Sequence, residues 1–111
     1  MPMVAEIYGE VAVARLEDEL TEDNLGRFDA MVERPLEEGV HNVVIDMEKT
    51  EYIDNAGLES LENLRDRLEA LGGHLKYSGL GLTCRKIFEM TRFDQRIEVF
   101  DNMLDAVRSF Q

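Results

Sequence analysis

Two short, mostly apolar runs rich in β-branched residues, Val4-Ala5-Glu6-Ile7-Tyr8 and Val11-Ala12-Val13-Ala14-Arg15-Leu16, open the chain. Gly9-Glu10 separates the two runs, and a two-residue connection containing glycine predicts an antiparallel hairpin. Beyond an acidic stretch, Leu25, Phe28, Val32 and Leu36 recur at the spacing of one helix face. Thr21 is placed to cap that helix. Pro35 lacks an amide and its ring meets the carbonyl one turn back, so a kink or stop is predicted near Arg34, with Gly39 closing the segment.

The next run, Asn42-Val43-Val44-Ile45-Asp46, is apolar without alternation and predicts a central strand covered on both faces. From Asp54 onward, Leu58, Leu61, Leu64, Leu68 and Leu71 mark a helical stripe, with Glu59, Glu62, Arg65, Asp66 and Glu69 mostly off it. The stripe ends at Gly72-Gly73, too soon for a coiled coil, so it is read as packing on a sheet. His74-Leu75-Lys76-Tyr77-Ser78 predicts a strand parallel to the central one, because a helix intervenes. A short helix follows from Thr83, its expected cap, with Ile87 and Phe88 inward. Arg96-Ile97-Glu98-Val99-Phe100 predicts a last strand, and Asp101 a cap for a terminal helix through Met103, Leu104, Val107 and Phe110. The order is ββαβαβαβα, an α/β domain.

Candidate chemistry gathers between Asp46 and Leu58, where strand passes to helix. Asp54 can accept hydrogen bonds from first-turn amides, and Gly57 permits close approach of another chain to the backbone. The partial positive charge of a helix N-terminus is then presented at the C-terminal edge of a sheet. Gly79 and Gly81 lack both the third glycine of a dinucleotide fingerprint and the Lys-Ser/Thr of a P-loop, so they read as a turn.

Composition narrows the functional classes. With 111 residues, 44% apolar and 32% charged, the chain reads as one soluble domain over residues 1–111. No apolar run is long enough for a bilayer, and Met1-Pro2-Met3-Val4-Ala5-Glu6 has no signal-peptide pattern, so a cytoplasmic location without membrane insertion is expected. The single Cys84, with His41 and His74, suggests neither a disulfide nor a zinc site. Net charge is −12, and residues 1–71 hold 19 acids against 6 bases, whereas residues 72–111 hold 5 and 6. Such acidity disfavours nucleic acid and favours a basic protein partner, or serves solubility alone.

Val43-Val44-Ile45-Asp46 followed by Tyr52-Ile53-Asp54-Asn55-Ala56-Gly57-Leu58 resembles the STAS domain's strand ending in Asp and its Asp-Ser-(Ser/Thr/Ala)-Gly-Leu turn. Gly73-His74-Leu75 through Ser78, Arg85-Lys86-Ile87-Phe88-Glu89-Met90-Thr91 and Ile97-Glu98-Val99-Phe100-Asp101 are similar to its later strand, helix and closing strand. STAS domains occur in bacterial anti-sigma-factor antagonists and in the cytoplasmic tails of sulfate transporters. The resemblance covers almost the whole chain and implies a mixed sheet with helices mainly on one side.

In the antagonist members, the serine after the turn's Asp is phosphorylated by a partner that is both kinase and anti-sigma factor. The resemblance therefore implies partner switching in transcription, with an anti-sigma factor of the serine-kinase type as the expected partner. Asn55 stands at the serine's place and Ala56 beside it, so this turn has no hydroxyl to accept a phosphoryl group. Asn is neutral and short, and imitates the unphosphorylated serine. The expected partner surface is Asp54, Asn55, Ala56, Gly57 and Leu58, together with Asp18, Thr21 and Asp23 of the acidic loop. Thr50, Ser78 and Thr83 are substitute acceptors only if they share that edge, and turn or cap roles are favoured for each. Where the family often has a glycine after its second strand, this chain has Glu17-Asp18-Glu19.

An enzymatic reading would need Asp46 and Asp54 as an acid/base pair, or Cys84 with His74 as a dyad. Capping and packing roles are favoured for all four, and no cofactor is expected. The alternative is a non-switching subunit of a transporter or signalling scaffold; a small-ligand or nucleotide sensor using the same edge is the weaker third reading.

Overall fold

A computed structural model describes residues 3–111. The Gly9-Glu10 turn joins β1 (Val4–Tyr8) to β2 (Val11–Arg15) as an antiparallel pair. β2 then runs parallel to β4 (Asn42–Asp46), β4 to β6 (His74–Ser78), and β6 to β7 (Val99–Phe100), giving the sheet order β1-β2-β4-β6-β7. Two further strands, β3 (Glu19–Leu20) and β5 (Tyr52–Ile53), pair in parallel as a separate small sheet. The helices are α1 (Leu25–Glu37), α2 (Asn55–Ala70), α3 (Leu82–Met90) and α4 (Met103–Arg108).

Strand alternation sorts the interior into two layers. Ala12, Ala14, Val43, Ile45, Leu75 and Tyr77 share one cluster with Phe28 of α1, Leu61 of α2 and Phe88 of α3. Val11, Val13 and Val44, on the intervening positions, pack with Ala106 of α4 and with Phe100 and Phe110. The sheet is therefore mixed, with three helices on one face and the short α4 on the other. Continuous apolar character in β4 follows from this double cover.

Several boundaries differ from the sequence expectation. α1 does not stop near Arg34 but continues through buried Pro35 to Glu37, and Gly39 follows at φ 83°. Proline is accommodated because it lies in the last turn with its ring in the core, while its carbonyl accepts from the Glu38 and Val40 amides. Thr21 does not cap α1; the capping position is Asn24. Thr83 lies inside α3 behind Gly81, and Asn102, not Asp101, caps α4 by accepting from the Asp105 amide at 2.9 Å. Arg96 ends a 3-10 turn, Phe93–Arg96, which leaves only Val99 and Phe100 as the last strand. Leu58, Leu61, Leu64 and Leu68 are buried along α2, but Leu71 falls beyond its end and is exposed.

Candidate functional site

Asp54 organises the surface at the start of α2. Its Oδ1 accepts from the Gly57 amide at 2.8 Å, satisfying a first-turn donor. Its Oδ2 accepts from the Glu22 amide at 3.1 Å, so the same carboxylate fastens the acidic loop to the helix. Further bonds close the seam: the Glu51 amide donates to the Asp18 carbonyl at 2.7 Å, the Asp54 amide to the Leu20 carbonyl at 3.2 Å, and the Thr50 hydroxyl to the Glu17 carbonyl at 2.9 Å. The loop also holds itself together through buried Asn24, whose Oδ1 accepts from the Thr21 amide and whose Nδ2 donates to the Glu19 carbonyl.

The expected partner-surface residues divide by burial. Asn55 is the first residue of α2 and is exposed; Asp54 and Ala56 are half-buried; Asp18 and Asp23 are exposed on the adjoining loop. Gly57, Leu58 and Thr21 are buried and shape the surface from beneath. The close approach that Gly57 permits comes from this chain itself: a methyl there would collide with the Leu20 carbonyl oxygen and lie 2.9 Å from Ile53 Cγ2. Tyr52 in β5 is 52% exposed and pairs with Glu19 across the small sheet. Beside Ala56, a groove of about 530 Å³ opens between α1 and α2, floored by Phe28, Val32 and Leu64 and edged by Asp29 and Glu59.

Two of the substitute phosphoacceptors are inaccessible. Ser78 is fully buried and donates to Asp46 Oδ1 at 3.0 Å. Thr50 is buried and bound to Glu17. Thr83 is exposed in the first turn of α3, next to Cys84, whose thiol reaches the Thr50 carbonyl.

The four residues that an enzymatic reading would need have other partners or lie apart. Asp46 is held by Ser78 at the end of the main sheet, and Asp54 by two backbone amides. Cys84 is buried with its thiol donating to the Thr50 carbonyl at 3.3 Å, and burial pushes its ionisation up. His74 is exposed at the opposite, N-terminal end of β6, where its amide donates to Asn42 Oδ1. Tyr77 packs edge-on against Phe88 and Phe93, whereas Tyr8 is exposed on β1. Among the described residues, no three His, Cys, Asp or Glu side chains group so as to hold a metal ion, and no helix is long and apolar enough to cross a membrane.

The same strand order and helix placement occur in known structures. An anti-sigma factor antagonist from Mycobacterium paratuberculosis superposes with a TM-score of 0.84 at 18% identity, over 96% of this chain and 91% of its own. The Bacillus cell fate determinant SpoIIAA in its phosphorylated form gives 0.75 at 19% identity, over 98% and 99%. A sulfate transporter family protein from Wolinella succinogenes gives 0.80 at 19% identity, over 94% and 87%. At these identities the likeness concerns the fold. No curated protein sequence matches the chain. The family model for the STAS domain matches residues 2–106, nearly the full chain, and with the mixed sheet and its strand-to-helix turn it makes this chain a member of the STAS domain family.

Proposed function

We propose that this protein is a cytoplasmic, non-enzymatic binding module of the anti-sigma-factor-antagonist type. It docks the start of α2 and the adjoining acidic loop onto a serine-kinase-type anti-sigma factor and thereby releases a sigma factor. The carrying observation is the exposed Asn55 at the first position of α2, on a turn fixed by the two hydrogen bonds of Asp54. Its side chain offers amide donors and an acceptor but no phosphorylatable hydroxyl. A phosphoserine there would bring nearly two negative charges and added bulk, which a closely packed docking contact would have to accommodate and desolvate. With Asn55 that charge never arrives, so the surface stays in its binding form.

The Wolinella neighbour favours a second reading, a fixed subunit of a transporter or scaffold. Affinity capture from the native cell, with the wild-type chain and Asn55→Asp as paired baits and mass spectrometry as readout, separates the two. An ATPase-domain anti-sigma factor retained by wild type and lost by Asn55→Asp is the expected result. Transporter or scaffold subunits retained equally by both baits would replace partner switching with the second reading.

A further inference from the structure

Residues 72–111 carry 6 of the chain's 12 bases. Two of these, Arg92 and Arg96, meet Arg65 of α2 around one pocket of about 420 Å³, walled by Phe93 and also lined by Gln95. Ten residues separate Arg65 from Asn55 along α2, a rise of about 15 Å, so this is a different place from the loop surface. One acid, Glu62, also lines the pocket, leaving a local excess of positive charge in a chain whose net charge is −12.

The three guanidinium groups are poorly neutralised by the protein. Arg65, with a side chain 16% exposed, pairs among the described residues with its neighbour Asp66, itself mostly in solvent. Arg92 and Arg96 make no side-chain hydrogen bond or ion pair among the described residues. Arg92 is also the one non-glycine residue among them with positive φ, at 60°. Its amide ends α3 by donating to the Glu89 carbonyl, a position that glycine or asparagine fills with less strain. Arginine there keeps a guanidinium at the pocket. Behind it, the Tyr77 ring packs on Phe93 with its centroid 6.0 Å away, and its fully buried hydroxyl has no hydrogen-bond partner among the described residues. Burial keeps that hydroxyl protonated, and Arg65 and Glu62 are the charges that act on it.

We propose that this pocket binds a small phosphate monoester. Guanidinium forks match phosphate oxygens in pairs; Arg65 is already held by Asp66, and Arg92 and Arg96, without a side-chain partner among the described residues, leave two forks for an anion beside Glu62. The volume is that of a small-molecule site, and the 7% of Phe93 that remains exposed is the apolar contact for the organic part. Gln95 supplies a further amide donor, whereas the Thr91 hydroxyl at the rim is already committed to the Ile87 carbonyl at 2.7 Å.

Amide proton–nitrogen spectra of the full chain, titrated separately with ribose 5-phosphate, inorganic phosphate and ribose, test this. The expected result is saturable shifts at residues 62–65 and 91–96, with the ester binding more tightly than inorganic phosphate and ribose inert. Arg92→Asn combined with Arg96→Gln should weaken the ester by about tenfold or more, because two charge-assisted contacts are lost. Arg34→Gln with Arg108→Gln makes the same charge change elsewhere and should leave binding intact; a matching amide spectrum outside the pocket verifies folding of both variants. Absence of saturation, shifts spread over all basic residues, or equal weakening in the control pair would overturn the site. Equal affinity for inorganic phosphate and ester would overturn the monoester assignment.

Discussion

Replacing Gly57 with alanine would drive a methyl group into the Leu20 carbonyl, backbone against backbone, with Ile53 closing the other side. We expect Gly57→Ala to cost about 2–3 kcal/mol in urea unfolding, the range for an overpacked interior. Asp54→Ala should cost about 1–2 kcal/mol through the lost cap, and should also free the Glu22 amide. Asn55→Ala, one position on and exposed, should change stability by no more than about 0.5 kcal/mol. A loss at Asn55 as large as at Asp54 would mean that the asparagine holds the turn and is not simply displayed on it. Cys84 gives a pH-dependent check on the same core. Burial raises the thiol's pKa in the folded state, so that contribution to stability is present below the unfolded thiol's value and is lost as pH rises through the folded one. Alkylation of the native protein at mildly alkaline pH should accordingly be much slower than in denaturant, and equal rates would place the thiol at the surface.

Helices and strands differ in how openly they announce themselves. α2 was legible because its apolar positions recur over 16 residues and its cap is local. β3 and β5, at two residues each, are too short to show any period, and their pairing joins positions more than thirty residues apart. That is why the strand-to-helix turn at Asp54 to Leu58 could be located from sequence, while the hydrogen bonds that attach the acidic loop to it and Asn24 as the loop's internal tie could not. Caps slipped for a related reason: Thr21, Thr83 and Asp101 have the right chemistry, but the neighbouring Asn24, Gly81 and Asn102 occupy the capping positions. Between elements, Arg67 on α2 grips Glu33 on α1 through two bonds of 2.6 and 2.7 Å. The Arg67 hydrogen bonds hold Glu33 below the usual carboxylate range, with desolvation opposing. A depressed value means that the pair's contribution is present above the unfolded glutamate's value and lost as pH falls through the folded one. Glu33→Gln should remove that part of the acid sensitivity. The effect should be small and shrink with added salt because both side chains are substantially exposed.

Across the whole molecule, charge is divided much as the two sites are. Residues 1–71 carry 19 acids and 6 bases and include the loop and the start of α2; residues 72–111 carry 5 and 6 and include two of the three pocket arginines. The first region suits a basic protein surface and the second a small anion, so added salt should slow association at the loop surface. The measurement that bears most directly on the account is the equilibrium dissociation constant of the captured anti-sigma factor for the wild-type chain and for Asn55→Asp. Asn55→Asp removes the amide donors and puts a carboxylate that must be desolvated at the proposed docking surface, so it should weaken binding by about tenfold or more even though the partner is basic. Affinities equal to within about twofold would show that the start of α2 is not the surface the partner reads.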